Sequence, residues 1–461
     1  MRKRGWTMAM DLGSRVDALM DGLRTDLERL TAIPSVSFPG FPPEPLQQAH
    51  DLLVDLLRDA GVERIERLDL PGTAPIIVAE VPPPSPDAPT VLLYGHYDVQ
   101  PPGDEALWQS PPFEPTPIDG GLGLRARGVA DDKANIVVHL GVLRAYEGKP
   151  PVGLKIILEG QEEYGSAFDD YPPTDPDRFA CDAMVIADTG SIRPGSPTLT
   201  AGLRGASEVF VEVRTLDEAR HSGEFGGAAP DALLVLLTAL GTLHDVHGDV
   251  AVEGLRREEW TGTAYTQEEF RSLAGVRDGL PLMGTGSLGE RLWSGPAITV
   301  IGIDAPGVDH AASAVVPYAR AKLNLRFHPQ QDPEEAQGLL VTHLQSMRPF
   351  GIPLTVTSGD AGPGFEPATE GPAYRAARTA LREGWGKDPE LVASGGSIPL
   401  VNGLSKAVPG AEVLLFGAQD SMCNLHAPNE RVLFSELRSA VVAEAAFLRE
   451  YAEAYRAGNR S

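Results

Sequence analysis

Cysteine is nearly absent from this chain, with only Cys181 and Cys423 in 461 residues. Two are too few for a disulfide framework, and such sparing use suits a reducing compartment. No run of 18 apolar residues occurs, so no membrane-spanning helix is expected. The start, Met1-Arg-Lys-Arg-Gly-Trp6, is basic. It leads into Val16, Leu19, Met20, Leu23, Leu27 and Leu30, which have amphipathic helical spacing rather than the continuous apolar core of a signal peptide. Basic residues are in deficit, 39 against 64 acidic, for a net charge of −25. Nucleic acid and anionic membranes both require a positive face, so neither is expected as a partner. These features together predict a cytoplasmic protein.

What is present in quantity is ordinary globular material, 42% hydrophobic and 22% charged, enough for two or three domains. After the first helix, Pro42, Pro43 and Pro45 lead to a second helical pattern through Leu52, Leu53, Leu56 and Leu57, closed by Gly61. Short apolar strands follow around Ile76 to Val81, Val91 to Tyr94, Leu154 to Leu158 and Met184 to Ala187, with a helical segment from about Asp132 to Tyr146. Strands alternating with helices predict an α/β fold with a mostly parallel central sheet flanked by helices. Its last pieces lie far along the chain, at Ala373 to Glu383, Glu412 to Phe416 and Ser435 to Tyr455.

Between them the order changes to β-α-β-β-α-β, from Glu208 to Thr357. That is the split βαβ, ferredoxin-like order. The expected organisation is a discontinuous catalytic domain, residues 1–202 and 362–461, interrupted by an α+β insert, residues 203–361. No internal repeat is visible.

The chemistry-bearing residues sit at strand ends, where α/β enzymes place ligand and catalytic groups. In Tyr94-Gly-His-Tyr-Asp98 an imidazole and a carboxylate lie two residues apart at the end of an apolar run. Side chains of a strand repeat every two residues, so Asp98 can hold His96 in a metal-binding tautomer. Asp131 stands at a helix start, where an acidic residue is equally a capping device. Glu162 and Glu163 are adjacent, and one can ligate a metal while the other takes a proton from water. With Asp188 and His426, the candidates His96, Asp131 and Glu163 make a set of two imidazoles and three carboxylates. Such a set suits zinc, with cobalt or manganese possible, and if Asp131 bridges, each of two metals receives three protein groups. Cys423 also lies three residues before His426, but one Cys-x-x-His pair without further cysteines is a weak zinc signature.

Six motifs then occur in order: Gly95-His-Tyr-Asp-Val-Gln-Pro101 followed by Trp108 and Pro112-Phe113; Arg127-Gly-Val-Ala-Asp-Asp-Lys133; Glu159-Gly-Gln-Glu-Glu-Tyr-Gly-Ser166; His221-Ser-Gly223; Gly395-Gly-Ser-Ile-Pro399; and His426-Ala-Pro-Asn-Glu430. From about residue 14 to about residue 455 the chain resembles the co-catalytic metallopeptidase family of carnosinase, cytosolic non-specific dipeptidase, aminoacylase and acetylornithine deacetylase. The resemblance implies that His96 and Asp188 hold one zinc, Glu163 and His426 the other, and that Asp131 bridges them. It gives Asp98 the orientation of His96, and Glu162 the role of general base toward the water between the metals and then toward the leaving amine. His221 in the insert would reach the neighbouring subunit's site in a homodimer formed through this lid and dimerisation domain, and would stabilise the oxyanion. Arg326 and the loop Gly396-Ser397-Ile398 resemble the elements that receive the substrate carboxylate.

Two departures bear on specificity rather than on the metals. Relatives often carry Arg-Glu where this chain has Ala393-Ser394, and Asn where it has Ala314 before Val-Val-Pro317. The wording favours a zinc-dependent dipeptidase acting on small peptides with a free C-terminal carboxylate. An N-acyl-amino-acid amidohydrolase is the alternative within enzymes, and a metal-binding scaffold without catalysis the alternative outside them.

Overall fold

The computed structural model describes residues 11–396 and 398–458. Ser397 of the expected substrate loop lies outside these residues, as does the basic start Met1–Trp6. The chain divides into two compact units. One takes the described part of Met1–Ala201, Pro367–Val392 and Leu400–Ser461; the other takes Gly202–Glu366 with Ala393–Pro399.

The first unit opens with helix α1 (Leu12–Thr31), capped by the Asp11 carboxylate on the Ser14 N–H. Its apolar spacing buries Val16, Met20, Leu23, Leu27 and Leu30. After α2 (Glu44–Asp59) come strands β1 (Arg64–Leu68), β2 (Ile76–Val81) and β3 (Thr90–His96), helix α3 (Ala134–Ala145), β4 (Gly153–Glu159) and β5 (Ala183–Ile186). In β3 every residue from Val91 to His96 is buried, which is why it reads as a continuous apolar run rather than an alternation. Helix α3 is buried almost all round and correspondingly lacks a polar face. Strand β1 has no such run; its Arg-Ile-Glu-Arg-Leu is largely exposed, and the sequence pattern did not announce it.

The second unit is built from β6 (Gly205–Arg214), α4 (Ala232–Leu240), β7 (Ala297–Asp304), β8 (Tyr318–Phe327), α5 (Pro333–Ser346) and β9 (Thr355–Gly362). The sheet order is β7-β8-β6-β9 and every neighbouring pair is antiparallel. One face carries Val209, Val211, Val213, Ala321, Leu323, Leu325 and Phe327, which share a core with Val235, Leu236 and Ala239 of α4 and Ala336, Leu340 and Leu344 of α5. The strict alternation in β6 and β8 follows from covering one face only.

The chain then returns to the first unit with α6 (Pro372–Trp385), β10 (Glu412–Leu415) and α7 (Phe434–Gly458). Strand β10 completes a six-stranded sheet in the order β1-β2-β4-β3-β5-β10. Pairing is parallel from β4 through β10 and antiparallel at β1, β2 and β4, so the sheet is mixed. The short link between β1 and β2 permits only antiparallel pairing, whereas the parallel neighbours are joined by long crossovers that include α3. Helices α1, α3, α6 and α7 contribute to one apolar core with the sheet. No helix among the described residues is long and apolar enough to cross a membrane.

Candidate metal centre

The parallel part of the sheet sets the first donors side by side. His96 is the last residue of β3, and Tyr94 pairs with Ile186 of β5, so Asp188 emerges two residues later at the same level. On the other flank His96 pairs with Glu159, the end of β4, and the turn beyond it carries Glu162 and Glu163. Gly95 makes room for the fourth segment: a Cβ there would lie 2.8 Å from the Asp132 carboxylate. That carboxylate accepts the His96 N–H at 3.0 Å and so draws the Asp131 turn onto the strand end.

Two three-donor clusters result, sharing Asp131. In the first, His96 Nε2 lies 3.1 Å from Asp131 Oδ1 and 4.0 Å from Asp188 Oδ1. In the second, His426 Nε2 lies 3.0 Å from Asp131 Oδ2 and 3.2 Å from Glu163 Oε2. The structure therefore brings together all five metal candidates, each carboxylate oxygen of Asp131 turned to a different imidazole. His426 is exposed and sits at φ +59, a left-handed conformation unusual for a histidine, in a loop that turns it toward Asp131.

Asp98 supports more than His96. Its carboxylate lies 3.3 Å from His96 Nδ1, and its backbone oxygen lies 3.2 Å from the same nitrogen. The same carboxylate accepts the N–H of Glu162 at 3.0 Å, the N–H of Glu163 at 3.1 Å and the Ser37 hydroxyl at 2.7 Å. It thereby fixes the turn that holds both glutamates. Gln100 steadies Glu163 by donating to its Oε2 at 2.8 Å, and Gln419 donates to Asp188 at 3.5 Å.

Glu430, quoted in the sequence only as the end of a motif, has a defined part. Its buried carboxylate accepts the N–H groups of Gly128, Ala130 and Asp131 at 2.8, 2.9 and 3.1 Å, and pairs with Arg127 at 2.8 Å. Arg127 also donates to Ala427 O at 3.3 Å and lies over the Trp108 ring. One ion pair thus ties the backbone of Asp131 to the loop of His426, a link between residues roughly 300 apart that no local spacing reveals. The neighbouring Cys423 is not a ligand; it is buried and its Sγ accepts the Asp420 N–H at 3.1 Å.

The electrostatics suit positive charge. Burial, then the Asp131 charge, push the Asp188 carboxyl well above its ordinary value. Burial also raises Glu162 strongly, reinforced by Asp188, Glu163 and Asp98 and opposed by His96. For His96 burial works against charge, but Asp131 and Asp98 outweigh it and hold the imidazole well above its usual range. Asp131 and Glu163 pull His426 up to about 10. Carboxylates that press one another toward protonation, beside imidazoles held charged by them, fit a place for divalent cations. The nitrogen and oxygen donors suit zinc, cobalt or manganese.

The other expected site residues belong to the second unit. His221 is exposed, on the short strand Arg220–His221 that pairs with Ala314–Val315, and its Nδ1 accepts the Gly223 N–H at 3.0 Å. Arg326 is half-buried on β8, with its Nε donating to Asn324 Oδ1 at 3.2 Å. Gly396 donates its N–H to Ser394 Oγ at 3.1 Å, and Ile398 is buried.

Two clusters of imidazole and carboxylate donors that share Asp131, gathered beside the ends of parallel strands, are the arrangement of a metal-dependent hydrolase. Comparison with known sequences makes the class specific: Peptidase family M20/M25/M40 matches residues 92–450, and the chain belongs to that family of metallopeptidases. It is 37% identical over 373 residues to the cysteinylglycine-S-conjugate dipeptidase of Corynebacterium striatum, covering 79% of this chain and 82% of the relative. It is 29% identical over 452 residues to the Beta-Ala-His dipeptidase of Rattus norvegicus, covering 90% of each. The crystal structure of human carnosine dipeptidase 1 superposes with a TM-score of 0.80 at 26% identity, covering 96% of this chain and 98% of that one.

Proposed function

We propose that this metallopeptidase is a dipeptidase, hydrolysing the amide bond of small peptides with a free C-terminal carboxylate, with two zinc ions in the paired clusters and manganese or cobalt as substitutes. The observation that carries the reading is Glu162. It shares a turn with the donor Glu163 and is held by Asp98 through its own N–H, yet neither cluster uses it and its carboxylate makes no hydrogen bond among the described residues. A passive metal site has no need of such a group.

Cations held by these donors would polarise the scissile carbonyl and acidify water. Glu162 takes the proton of the attacking water and returns it to the leaving amine, a task open to a carboxylate that neither donor cluster uses. Asp98 keeps His96 and the Glu162 turn in register while this happens. Release of amino acids from a panel of dipeptides, compared with N-acyl amino acids, tests the reading; turnover of the acylated set alone would make the protein a deacylase.

The second unit serves in this reading as lid and dimerisation domain. Support comes from strand β7, at the edge of its sheet, with Val300, Ile301 and Ile303 exposed, and from α4, with Leu234 and Leu237 exposed. The exposed His221 then acts in the partner subunit's site. Mixing inactive His221→Ala with inactive Glu162→Gln subunits should recover part of the activity, and verified heterodimers that stay inactive would reject a shared site. Two free thiols, Cys181 and Cys423, support a cytoplasmic location.

A further inference from the structure

On the face of the second unit's sheet that α4 and α5 leave uncovered, charges are matched until the last rungs. Glu212 stands opposite Arg320, and the Glu208 carboxylate holds the Lys322 ammonium at 2.6 Å. Arg320 and Lys322 also lie over the Phe210 ring. The next rung of this face pairs Ala206 with Arg326. Arg204 lies two residues before Ala206 and so emerges on the same side, diagonal to Arg326.

Neither arginine forms an ion pair among the described residues. Arg204 donates from Nη1 to Arg291 O at 3.4 Å, and Arg326 donates from Nε to Asn324 Oδ1 at 3.2 Å. Arg204 Nε and Arg326 Nη1 are buried with no partner. Burial, and then the charge of Arg326, push Arg204 down to about 10, and burial lowers Arg326 as well. The turn at Ser394 and Gly395, which follows the strand Glu390–Ser394, leaves the fork of Arg204 open. Ser394 O accepts the Arg204 N–H at 3.3 Å, and the absence of a side chain at Gly395 matters because a Cβ would lie 3.0 Å from Arg204 Nη2. Two adjoining guanidinium groups without a carboxylate, Arg204 buried and Arg326 half-buried, in a chain with 25 acidic charges to spare, point to a counter-charge supplied by a ligand.

We propose that Arg204 and Arg326 together bind a dicarboxylate, Arg326 taking the C-terminal carboxylate of the peptide and Arg204 the acidic side chain of the same residue, so that the preferred dipeptides end in Asp or Glu. The inference rests on the reading of Arg326 as the receiver of the substrate carboxylate. Two guanidinium forks at diagonal positions match two carboxylates a few bonds apart, and each charge-assisted pair gives both strength and direction. Arg204 is a binding residue in this scheme and takes no part in bond cleavage.

The isosteric substrates Ala-Glu and Ala-Gln differ only in the charge that Arg204 would read. The expected result is a kcat/KM at least about tenfold higher for Ala-Glu, expressed mainly in KM, because a charged hydrogen-bonded pair discriminates on that scale. Arg204→Met should bring the ratio to within about twofold, Arg204→Lys should keep much of it, and Arg326→Met should lower kcat/KM for both substrates. Equal turnover of the two peptides by the native protein, or an undiminished ratio in Arg204→Met, would overturn the proposal. If neither peptide is cleaved, the dipeptidase reading fails, and the anion pair is decided separately by binding of free L-glutamate against L-glutamine in calorimetry. Should Arg204→Met not fold, the native protein still decides: L-glutamate should raise its melting temperature where L-glutamine does not, and equal effects would refute the pair.

Discussion

Glu430→Gln removes one oxygen and one charge from the carboxylate that organises the centre. In the native site that carboxylate accepts from Arg127, Gly128, Ala130 and Asp131, all within 3.1 Å. The amide keeps one acceptor oxygen, turns its own N–H groups against two of these donors, and leaves the buried Arg127 charge uncompensated. Breaking a buried ion pair from one side costs about 3–5 kcal/mol, which for a domain of this size lowers the melting temperature by on the order of 10 °C. Residues that support a metal ligand from behind typically change affinity by about 10–100-fold. Thermal unfolding of chelator-treated protein isolates the first effect, because bound metal would otherwise add its own stabilisation. Titration with cobalt, followed by its visible absorption, measures the second. Native-like unfolding together with native-like cobalt affinity would show that the Glu430 cradle is not what presents Asp131.

Glu162→Gln should leave metal content nearly unchanged and lower turnover by at least about a hundredfold; unaltered turnover would remove Glu162 from the chemistry. Prolonged treatment with a chelator should abolish peptide hydrolysis, and zinc, cobalt or manganese should restore it, with activity surviving complete metal removal as the contrary result. Glu159 carries a pH prediction. It is fully buried, accepts from Tyr94 Oη at 2.9 Å and Ser166 Oγ at 2.8 Å, and is pushed to about 8 by burial and then by the Asp169 charge. The folded carboxyl keeps a proton that the unfolded chain releases near 4.5, so its contribution is greatest below about 4.5 and is lost as pH rises toward 8. The loss is on the order of 5 kcal/mol. Urea unfolding across this window should show a falling stability in the native protein and a flatter one in Glu159→Gln; parallel curves would refute a neutral Glu159.

The elements of both units were largely legible from periodicity, because β3 and α3 are buried on all sides and β6 and β8 on one. Strand β1 was not, since an exposed strand of alternating charge at a sheet edge has no apolar signature. Among the site residues, the donors stood at strand ends and in short motifs. Some of their supports did not: Ser37 and Gln419 act on Asp98 and Asp188 from segments with no motif of their own, and Gln100, although inside the Gly95–Pro101 motif, reveals its hold on Glu163 only in the folded chain. Arg204 was equally silent, because a lone arginine before a strand says nothing until its neighbours are known.

By itself the sequence determined which candidate donors the chain offers: two imidazoles and three carboxylates, with His96 and Asp188 at or just beyond the ends of strands whose apolar pattern dictates where each strand stops. It also set Glu162 and Glu163 side by side, the pattern from which separate tasks for the two carboxylates are expected. Only the tertiary structure decided how Asp131 divides its two oxygens between His96 and His426, and that Asp98 fixes the glutamate turn as well as the histidine. Those facts depend on contacts between segments dozens to hundreds of residues apart. Local spacing encodes which groups a chain offers, whereas distance and desolvation, which give those groups their charge and their partners, exist only once the segments are packed.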